Sequence, residues 1–384
     1  MSGEVHRMCV ISATPLTIHF FLKAHLLELS KYFDVTLIAN LHSDTYLPPL
    51  SLPIRMYSVG IERKLTPRKD LLALSSLLVL FRRERFDIVV SVVPKAGLLG
   101  MLAAWLRRVP RRVHIFQGEV WASRRGLMRL ILKSADRLTA TLATDLLAVS
   151  ASERDFLVSE SIAPMGKINV LGAGSISGVD TDRFRTDLEV RKQLRKDLGI
   201  PEHAVLCIFL GRLTRDKGVM DLVDAFLVSA ATQANLWLLI VGPDEENLTL
   251  RIREYVPATL SERIVILGFY QKPEHVLAAA DFLCLPSYRE GFGMAILEAA
   301  SVGLPAIGTR IYGITDAIQE NQTGLLVKVG DVNELAAALT RFCEYPQLRM
   351  QFAQAARNRT LLQYEQKTVV SRYVDYFCTF IAKS

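Results

Sequence analysis

The sequence contains no run of about 18 uncharged apolar residues, the length a membrane-spanning helix needs, so no such helix is expected. The opening stretch, MSGEVHRMCVISATPL, has too short an apolar segment for a secretory signal, and Glu4 spoils its flank. Together these absences make a cytoplasmic protein the expectation. Cysteine is scarce: Cys9, Cys207, Cys284, Cys343 and Cys378 are odd in number and far apart, and no C-x-x-C occurs. That argues against a disulfide framework or a zinc site, and leaves buried thiols in a reducing compartment. The histidines, at 6, 19, 25, 42, 114, 203 and 275, have no H-E-x-x-H or other metal spacing. A phosphate-binding G-x-x-x-x-G-K-[ST] loop is missing too.

What is present is the composition of a folded protein. Half of the 384 residues are hydrophobic and 22% are charged, which excludes a disordered chain. The length suits two domains of about 150 to 200 residues. Of the net charge of +7, residues 1–180 supply the whole positive balance, with 23 Lys+Arg against 15 Asp+Glu. Such asymmetry points to an anionic partner for the first half.

Short β-branched apolar runs alternate with helical patterns. In the first half the runs are MCVISA, DVTLIAN, IRMYSVG, DIVVSVV, RVHIFQG, LLAVS and INVLG. In the second they are AVLCIFLG, LWLLIVG, RIVILGF, DFLCLPS, PAIGTR and GLLVKV. Helices are predicted between them, among others over 18–31, 68–84, 95–107, 124–145, 217–231, 273–280, 294–302 and 332–344. Continuous apolar strands with intervening helices imply an α/β protein with parallel sheets covered on both faces. The series occurs twice, broken at LGAGSISGVDTDRFRTD, residues 171–187. The expected domains are 1–178 and 187–364, with the amphipathic last helix, about 365–384, crossing back to the first. Ligands of doubly wound sheets bind at the C-terminal strand ends, so the cleft between the domains is the expected site.

Two segments of the second half carry recognisable chemistry. In FLGRLTRDKGVMDLVDAF, 209–226, a strand ends at Gly211 and a helix begins after Gly218, with Arg212, Arg215 and Lys217 between. Free helix amides and the helix dipole favour an anion there; Arg212 can fork onto two phosphate oxygens and Lys217 adds a mobile charge. A solvated basic loop is the competing reading. In SYREGFGMAILEAASVGLP, 287–305, Glu290 stands at a strand end, Phe292 and Gly293 at a helix start, and Glu298 inside an otherwise apolar run. Such a carboxylate is rarely left without a partner. Both glutamates can reach one elongated ligand, or Glu290 is a first-turn charge and Glu298 a core carboxylate paired with a cation.

The E-x7-E pair, with GRLTRDKG about 75 residues upstream, resembles the retaining family-4 glycosyltransferases of the GT-B fold. PKAGLLGMLAAW and LGAGSISGVDTDRF are similar to the members that build bacterial surface polysaccharides on lipid carriers. The resemblance implies two Rossmann-like domains and a nucleotide-sugar donor, most simply a UDP-sugar, used as co-substrate without a metal or resident cofactor. It implies that Arg212 and Lys217, after Gly211, neutralise the donor diphosphate, and that Glu290 holds sugar hydroxyls. The amides at Phe292 and Gly293 would touch sugar or phosphate, Glu298 the ribose, and Gly268 and Phe269 the base. The implied acceptor is a lipid-linked glycan of O-antigen, capsule or lipopolysaccharide type. Nearby alternatives are a nucleotide-sugar epimerase of the same fold and a non-catalytic binding or scaffolding subunit.

Two positions depart from the family pattern. Thr14-Pro15-Leu16-Thr17 replaces the Gly-Gly loop after the first strand, and Gln117 stands where many members place a histidine that contacts the donor sugar. Gln117 can hydrogen-bond a hydroxyl but cannot exchange a proton near neutral pH. His19 is placed to line the acceptor side, whereas His25 reads as structural. Asp180-Thr181-Asp182 spells D-x-D but lies in the Gly/Ser-rich break, where turn and cap chemistry explains it.

The stretch 105–138 interleaves Arg107, Arg108, Arg111, Arg112, Arg124, Arg125, Arg129 and Lys133 with Trp105, Trp121, Leu127, Met128, Leu130, Ile131 and Leu132. Over 105–133 this fits an anionic membrane surface; the competing reading is a core face with a solvated basic edge. No nucleic-acid-binding motif accompanies the charge, so a nucleic-acid partner is not expected.

Overall fold

A computed structural model describes residues 5–41, 50–62 and 66–381. Glu4, His42 and residues 382–384 therefore lie outside the described residues. The chain divides into two compact units, one formed by Met1–Ser177 with Gln366–Ser384, the other by Gly178–Glu365.

The first unit runs β1 (Arg7–Ile11), α1 (Pro15–Thr17), a π-helical turn (Ile18–Leu22), α2 (Lys23–Leu29), β2 (Asp34–Ala39), β3 (Arg55–Ser58) and α3 (Pro67–Glu84). It continues with β4 (Ile88–Val92), α4 (Pro94–Leu106), β5 (Arg111–Phe116), α5 (Gly126–Leu142), β6 (Asp145–Ala148), α6 (Ala151–Ser159) and β7 (Ile168–Asn169). The seven strands are all parallel, in the order β3-β2-β1-β4-β5-β6-β7. β1 and β4 are buried along nearly their whole length, as strands covered on both faces must be.

The helix predicted over 18–31 starts earlier, at Pro15, ends at Leu29, and carries a five-residue π turn from Ile18 to Leu22. Pro15 occupies the first helical position, where its missing N–H costs nothing and its fixed φ suits a helix. The π turn leaves no mark in the apolar periodicity, which cannot separate π from α.

The second unit runs α7 (Leu188–Asp197), β8 (Val205–Leu210), α8 (Val219–Ala230), β9 (Leu236–Val241), α9 (Leu248–Tyr255), α10 (Ala258–Ser261), β10 (Ile264–Leu267) and α11 (Pro273–Ala279). Then come β11 (Phe282–Leu285), α12 (Met294–Ser301), β12 (Ala306–Thr309), α13 (Ile314–Ala317), β13 (Gly324–Val327), α14 (Val332–Glu344) and α15 (Pro346–Gln363). The parallel order is β10-β9-β8-β11-β12-β13. The strand order reverses between β8 and β11, which pair at Phe282↔Cys207 and Leu283↔Ile208. Cys207, far from Cys284 and Cys343 in sequence, has both among its neighbours in this core. All three are buried free thiols.

The last helix, α16 (Gln366–Cys378), belongs to the first unit and packs on α2. There Tyr373 meets the edge of His25 at 4.8 Å between ring centroids.

Candidate active site

β8 and β11 are the two strands at the switch point of the second unit, and both candidate loops leave from their C-terminal ends. That placement follows from topology, because loops leaving opposite sides of the reversal open a crevice for a ligand. After β8, Gly211 donates its N–H to Val241 O at 3.0 Å, a short 3₁₀ turn covers Arg215–Lys217, and Gly218 (φ +69°) opens α8. A Cβ on Gly218 would lie 2.1 Å from Pro286 O, so this loop can approach β11 only as glycine. After β11, Pro286 leads through Ser287–Phe292 to Gly293 (φ +78°), the N-cap of α12.

Contacts between the two loops set the site. Lys217 Nζ lies 2.5 Å from Glu290 Oε1, and the Ser287 hydroxyl donates to the same oxygen at 3.1 Å. Arg289 pairs with Asp216 at 2.9 Å, and Tyr288 N donates to Asp216 O at 2.9 Å. Burial alone would raise the Asp216 carboxyl; the Thr214 hydroxyl and the Arg289 guanidinium outweigh it and hold the group below its usual range. Arg212 extends from the β8 exit and pairs with Glu245 at 2.7 Å.

Glu298 lies in the middle of α12. Its carboxyl is crowded by protein, yet the residue keeps partial solvent access. Burial pushes its pKa up to about 7, against the pull of Arg183; Glu274 adds to the rise. The described residues form no hydrogen bond to this carboxyl. Arg183 is instead paired with Glu274 at 2.8 Å, so the sequence reading of Glu298 as one half of a core ion pair does not describe it. A crowded carboxyl with open hydrogen-bonding capacity suits a ligand's hydroxyls.

Gly268 follows β10, where its carbonyl accepts from Gly242 N at 3.2 Å, and Phe269 is the next residue outward. Phe292 contributes only its backbone to the loop surface, because its ring is buried against Tyr364 at 5.4 Å. Among the described residues no group of three His, Cys, Asp or Glu side chains is placed to hold a metal ion. In the D-x-D stretch, Asp180 Oδ1 accepts from Arg183 N at 3.2 Å, which is turn chemistry.

The remaining candidates lie in the first unit, at its own strand exits. Thr14 follows β1 as the N-cap residue of α1, its hydroxyl 3.4 Å from that of Thr17. Gln117 follows β5, and its side-chain amide nitrogen is buried with no hydrogen-bond partner among the described residues. His114 is not at the site. It is buried in β5 with Nδ1 2.8 Å from Ser91 Oγ, and burial pushes its pKa down to about 3, so it stays neutral. His19 lies in the π turn. His25 is a buried structural histidine, 2.6 Å from Ile176 O, with its pKa lowered to about 4 by burial.

The basic stretch reads differently in three dimensions. Trp121 is fully buried, its indole N–H donating to Asp136 at 2.7 Å, so it is no membrane anchor. Arg129 and Lys133 turn inward over its ring, at 5.2 and 5.3 Å, and both pair with Glu160. Arg112 is held by the carbonyls of Val109 and Leu142, and Arg111 stacks on Phe380. What stays outside is Trp105, Arg107, Arg108, Arg124, Arg125 and an exposed apolar face of α5 made by Leu127, Met128, Leu130 and Ile131. No helix among the described residues is long and apolar enough to cross a membrane.

Sequence reasoning missed Glu245, Asp216 and Arg289 as partners of the site, and Glu153 in the first unit. Glu153 carried a visible signal, S-A-S-E at 150–153, the pattern of a helix N-terminus.

Residues 190–359 match the family described as "Glycosyl transferases group 1", and residues 28–174 the "Glycosyl transferase 4-like domain". The chain belongs to the family-4 glycosyltransferases. This glycosyltransferase is 26% identical to the capsular polysaccharide biosynthesis glycosyltransferase CapM of Staphylococcus aureus, over 85% of each chain. It is 28% identical to the UDP-Gal:alpha-D-GlcNAc-diphosphoundecaprenol alpha-1,3-galactosyltransferase of Escherichia coli, over 81% of this chain and 80% of that one. Its fold matches the crystal structure of Anabaena HepE in complex with UDP-glucose, with a TM-score of 0.78 over 97% of this chain and 99% of the other at 17% identity. The architecture is GT-B, two Rossmann-like α/β units with parallel sheets.

Proposed function

We propose that this glycosyltransferase moves a sugar from a UDP-sugar to a lipid-diphosphate-linked glycan, with retention of configuration, in the assembly of a bacterial surface polysaccharide. The observation that carries the reading is the switch-point pair of loops: cations at 212 and 217, a carboxylate at 290 paired with Lys217, and a crowded carboxyl at 298 with no hydrogen bond from the described residues. That set matches the parts of one nucleotide sugar in order. Arg212 and Lys217 neutralise the diphosphate, Glu290 and the Phe292 and Gly293 amides orient the sugar, Glu298 takes the ribose hydroxyls, and Gly268 and Phe269 flank the base. Thr14 and Gln117 contribute polar groups to acceptor and donor sugar. The choice of UDP and of a lipid-linked acceptor is supported by the Escherichia coli relative, named for both, and the choice of UDP also by the UDP-glucose bound to the Anabaena structure.

In the reaction the bond from the anomeric carbon to the diphosphate breaks as a bond to the acceptor oxygen forms on the same face of the sugar. The acceptor's proton passes to the departing phosphate oxygen. Catalysis is then mostly positioning and stabilisation of the charge that grows on the diphosphate, the task of Arg212 and Lys217. A protein carboxylate pair flanking the bond, as in glycosidases, has no role. The exposed apolar and basic face of α5 rests on the anionic inner surface of the cytoplasmic membrane, where such an acceptor resides.

Calorimetric titration of UDP, GDP and ADP into wild type and Glu298→Ala tests the reading. UDP binding that the substitution abolishes supports it; no binding of any nucleotide overturns it.

A further inference from the structure

Glu153 is completely buried, yet it belongs to neither loop of the donor site. It occupies the third position of α6, whose N-cap Ser150 accepts from the Glu153 N–H at 3.1 Å. Its side chain also reaches beyond its own helix: one carboxylate oxygen accepts from Val149 N at 2.8 Å, the other from Gly118 N at 2.5 Å. Val149 follows β6 and Gly118 follows β5, so one side chain ties the exits of two neighbouring strands. Gly118 holds φ +81°, a conformation that favours glycine and that nothing in the local sequence enforces. The residue immediately before it is Gln117, with its buried, unpartnered amide nitrogen.

We infer that Glu153 is a positioning residue for glycosyl transfer, holding the backbone after β5 so that Gln117 meets the donor sugar in one orientation. The inference rests on the reading of Gln117 as a sugar contact. The physical reason is acceptor count. Two backbone donors converge on one side chain, and only a carboxylate offers both an acceptor on each oxygen and the charge that strengthens both bonds. Glutamine in its place has the same shape but one acceptor; its NH₂ group faces one of the two amides donor to donor. The far end of the segment is held separately, by the Trp121 indole on Asp136, so loss of Glu153 removes the bond to Gly118 N without releasing Trp121. The Ser150 cap bonds the Glu153 backbone N–H, so it survives substitution of the side chain.

The test compares wild type, E153Q, Q117A and the double variant in release of UDP from UDP-glucose, UDP-galactose and their N-acetylamino forms, with water as acceptor. UDP affinity and thermal unfolding are measured alongside. The expected result is a loss of about tenfold in turnover for Q117A and a similar loss for E153Q. UDP affinity should be unchanged, and the double variant no slower than the slower single one, because both substitutions remove one function. Hydrogen exchange of residues 116–121, read without any ligand, should quicken about tenfold in E153Q while 121–136 keeps its protection. Full turnover in E153Q alongside impaired Q117A, multiplying losses in the double variant, or unchanged exchange at 116–121 overturns the inference. Full turnover in Q117A removes the sugar contact itself and the inference with it. If no nucleotide sugar is turned over, the exchange result still decides whether Glu153 holds the segment. Should E153Q not fold, E153D, which keeps the charge but cannot span both amides, is read the same way.

Discussion

Lys217 Nζ lies 2.5 Å from Glu290 Oε1, although 73 residues separate them in the chain. The contact joins the loop after β8 to the loop after β11, each 14% exposed at the side chain, and so joins the diphosphate-neutralising and sugar-orienting ends of the proposed donor site.

Lys217→Ala is expected to reduce turnover by about 10² to 10³, the scale for removing one group that stabilises developing charge. The variant also leaves Glu290 without its cation and should lose about 1–3 kcal/mol of stability. Adding Glu290→Ala should restore part of that stability but none of the activity. Steady-state kinetics with UDP-sugars and thermal unfolding check both; stability losses that simply add would show that the pair contributes nothing.

Glu298 should make nucleotide binding depend on pH. Its pKa of about 7 lies above the usual carboxylate value, so below pH 7 the group is neutral and above it charged. Ribose hydroxyls donate more strongly to the charged form. UDP affinity should therefore rise about tenfold from pH 6 to 8 beyond the rise in Glu298→Gln, which controls for ionisation of the UDP phosphate near pH 6. Identical slopes would remove Glu298 from the binding site. For stability the raised pKa means the folded state holds the proton more tightly. This contribution is full below about pH 4.5 and is lost as pH rises towards 7.

Two glycines separate backbone strain from collision. A Cβ added at Gly199 (φ +67°) would meet nothing within 4 Å, whereas one added at Gly218 (φ +69°) would meet Pro286 O at 2.1 Å. Gly199→Ala should cost about 1 kcal/mol, the left-handed penalty alone. Gly218→Ala should cost about 2 kcal/mol more and also impair turnover, because Lys217 must move with it. Equal costs in chemical denaturation would show that the β8 and β11 loops yield freely.

The α5 face predicts membrane behaviour. Leu130→Glu with Ile131→Glu should abolish co-sedimentation with vesicles containing phosphatidylglycerol, and wild-type binding should weaken with salt. Arg129→Ala should leave vesicle binding nearly intact but lower thermal stability, because Arg129 points inward to Glu160 and Trp121. Undiminished binding of the double glutamate variant would assign the membrane contact elsewhere.

Much of the molecule was legible in the chain. Apolar runs of four to six residues between helical patterns marked the strands that enter the two parallel sheets, because a strand buried on both faces must be apolar throughout. The places of Gly211, Lys217 and Glu290 after strand ends, and of Glu298 inside a helix, were legible because strand, loop and helix each keep a local sequence pattern. Tertiary structure decided which of these residues touch, since a contact across 73 residues has no local signal. It turned Trp121, Arg129 and Lys133 inward, because a helix pattern records an amphipathic face and not what covers it. It also gathered three scattered cysteines in one core and brought the Glu153 side chain to two strand exits. The sequence by itself determined which segments are strands, helices and charged loops, through periodicity and residue chemistry within a few positions. Only the fold, by pairing β8 with β11 and β5 with β6, decided which of those groups share a charge, a proton or a hydrogen bond.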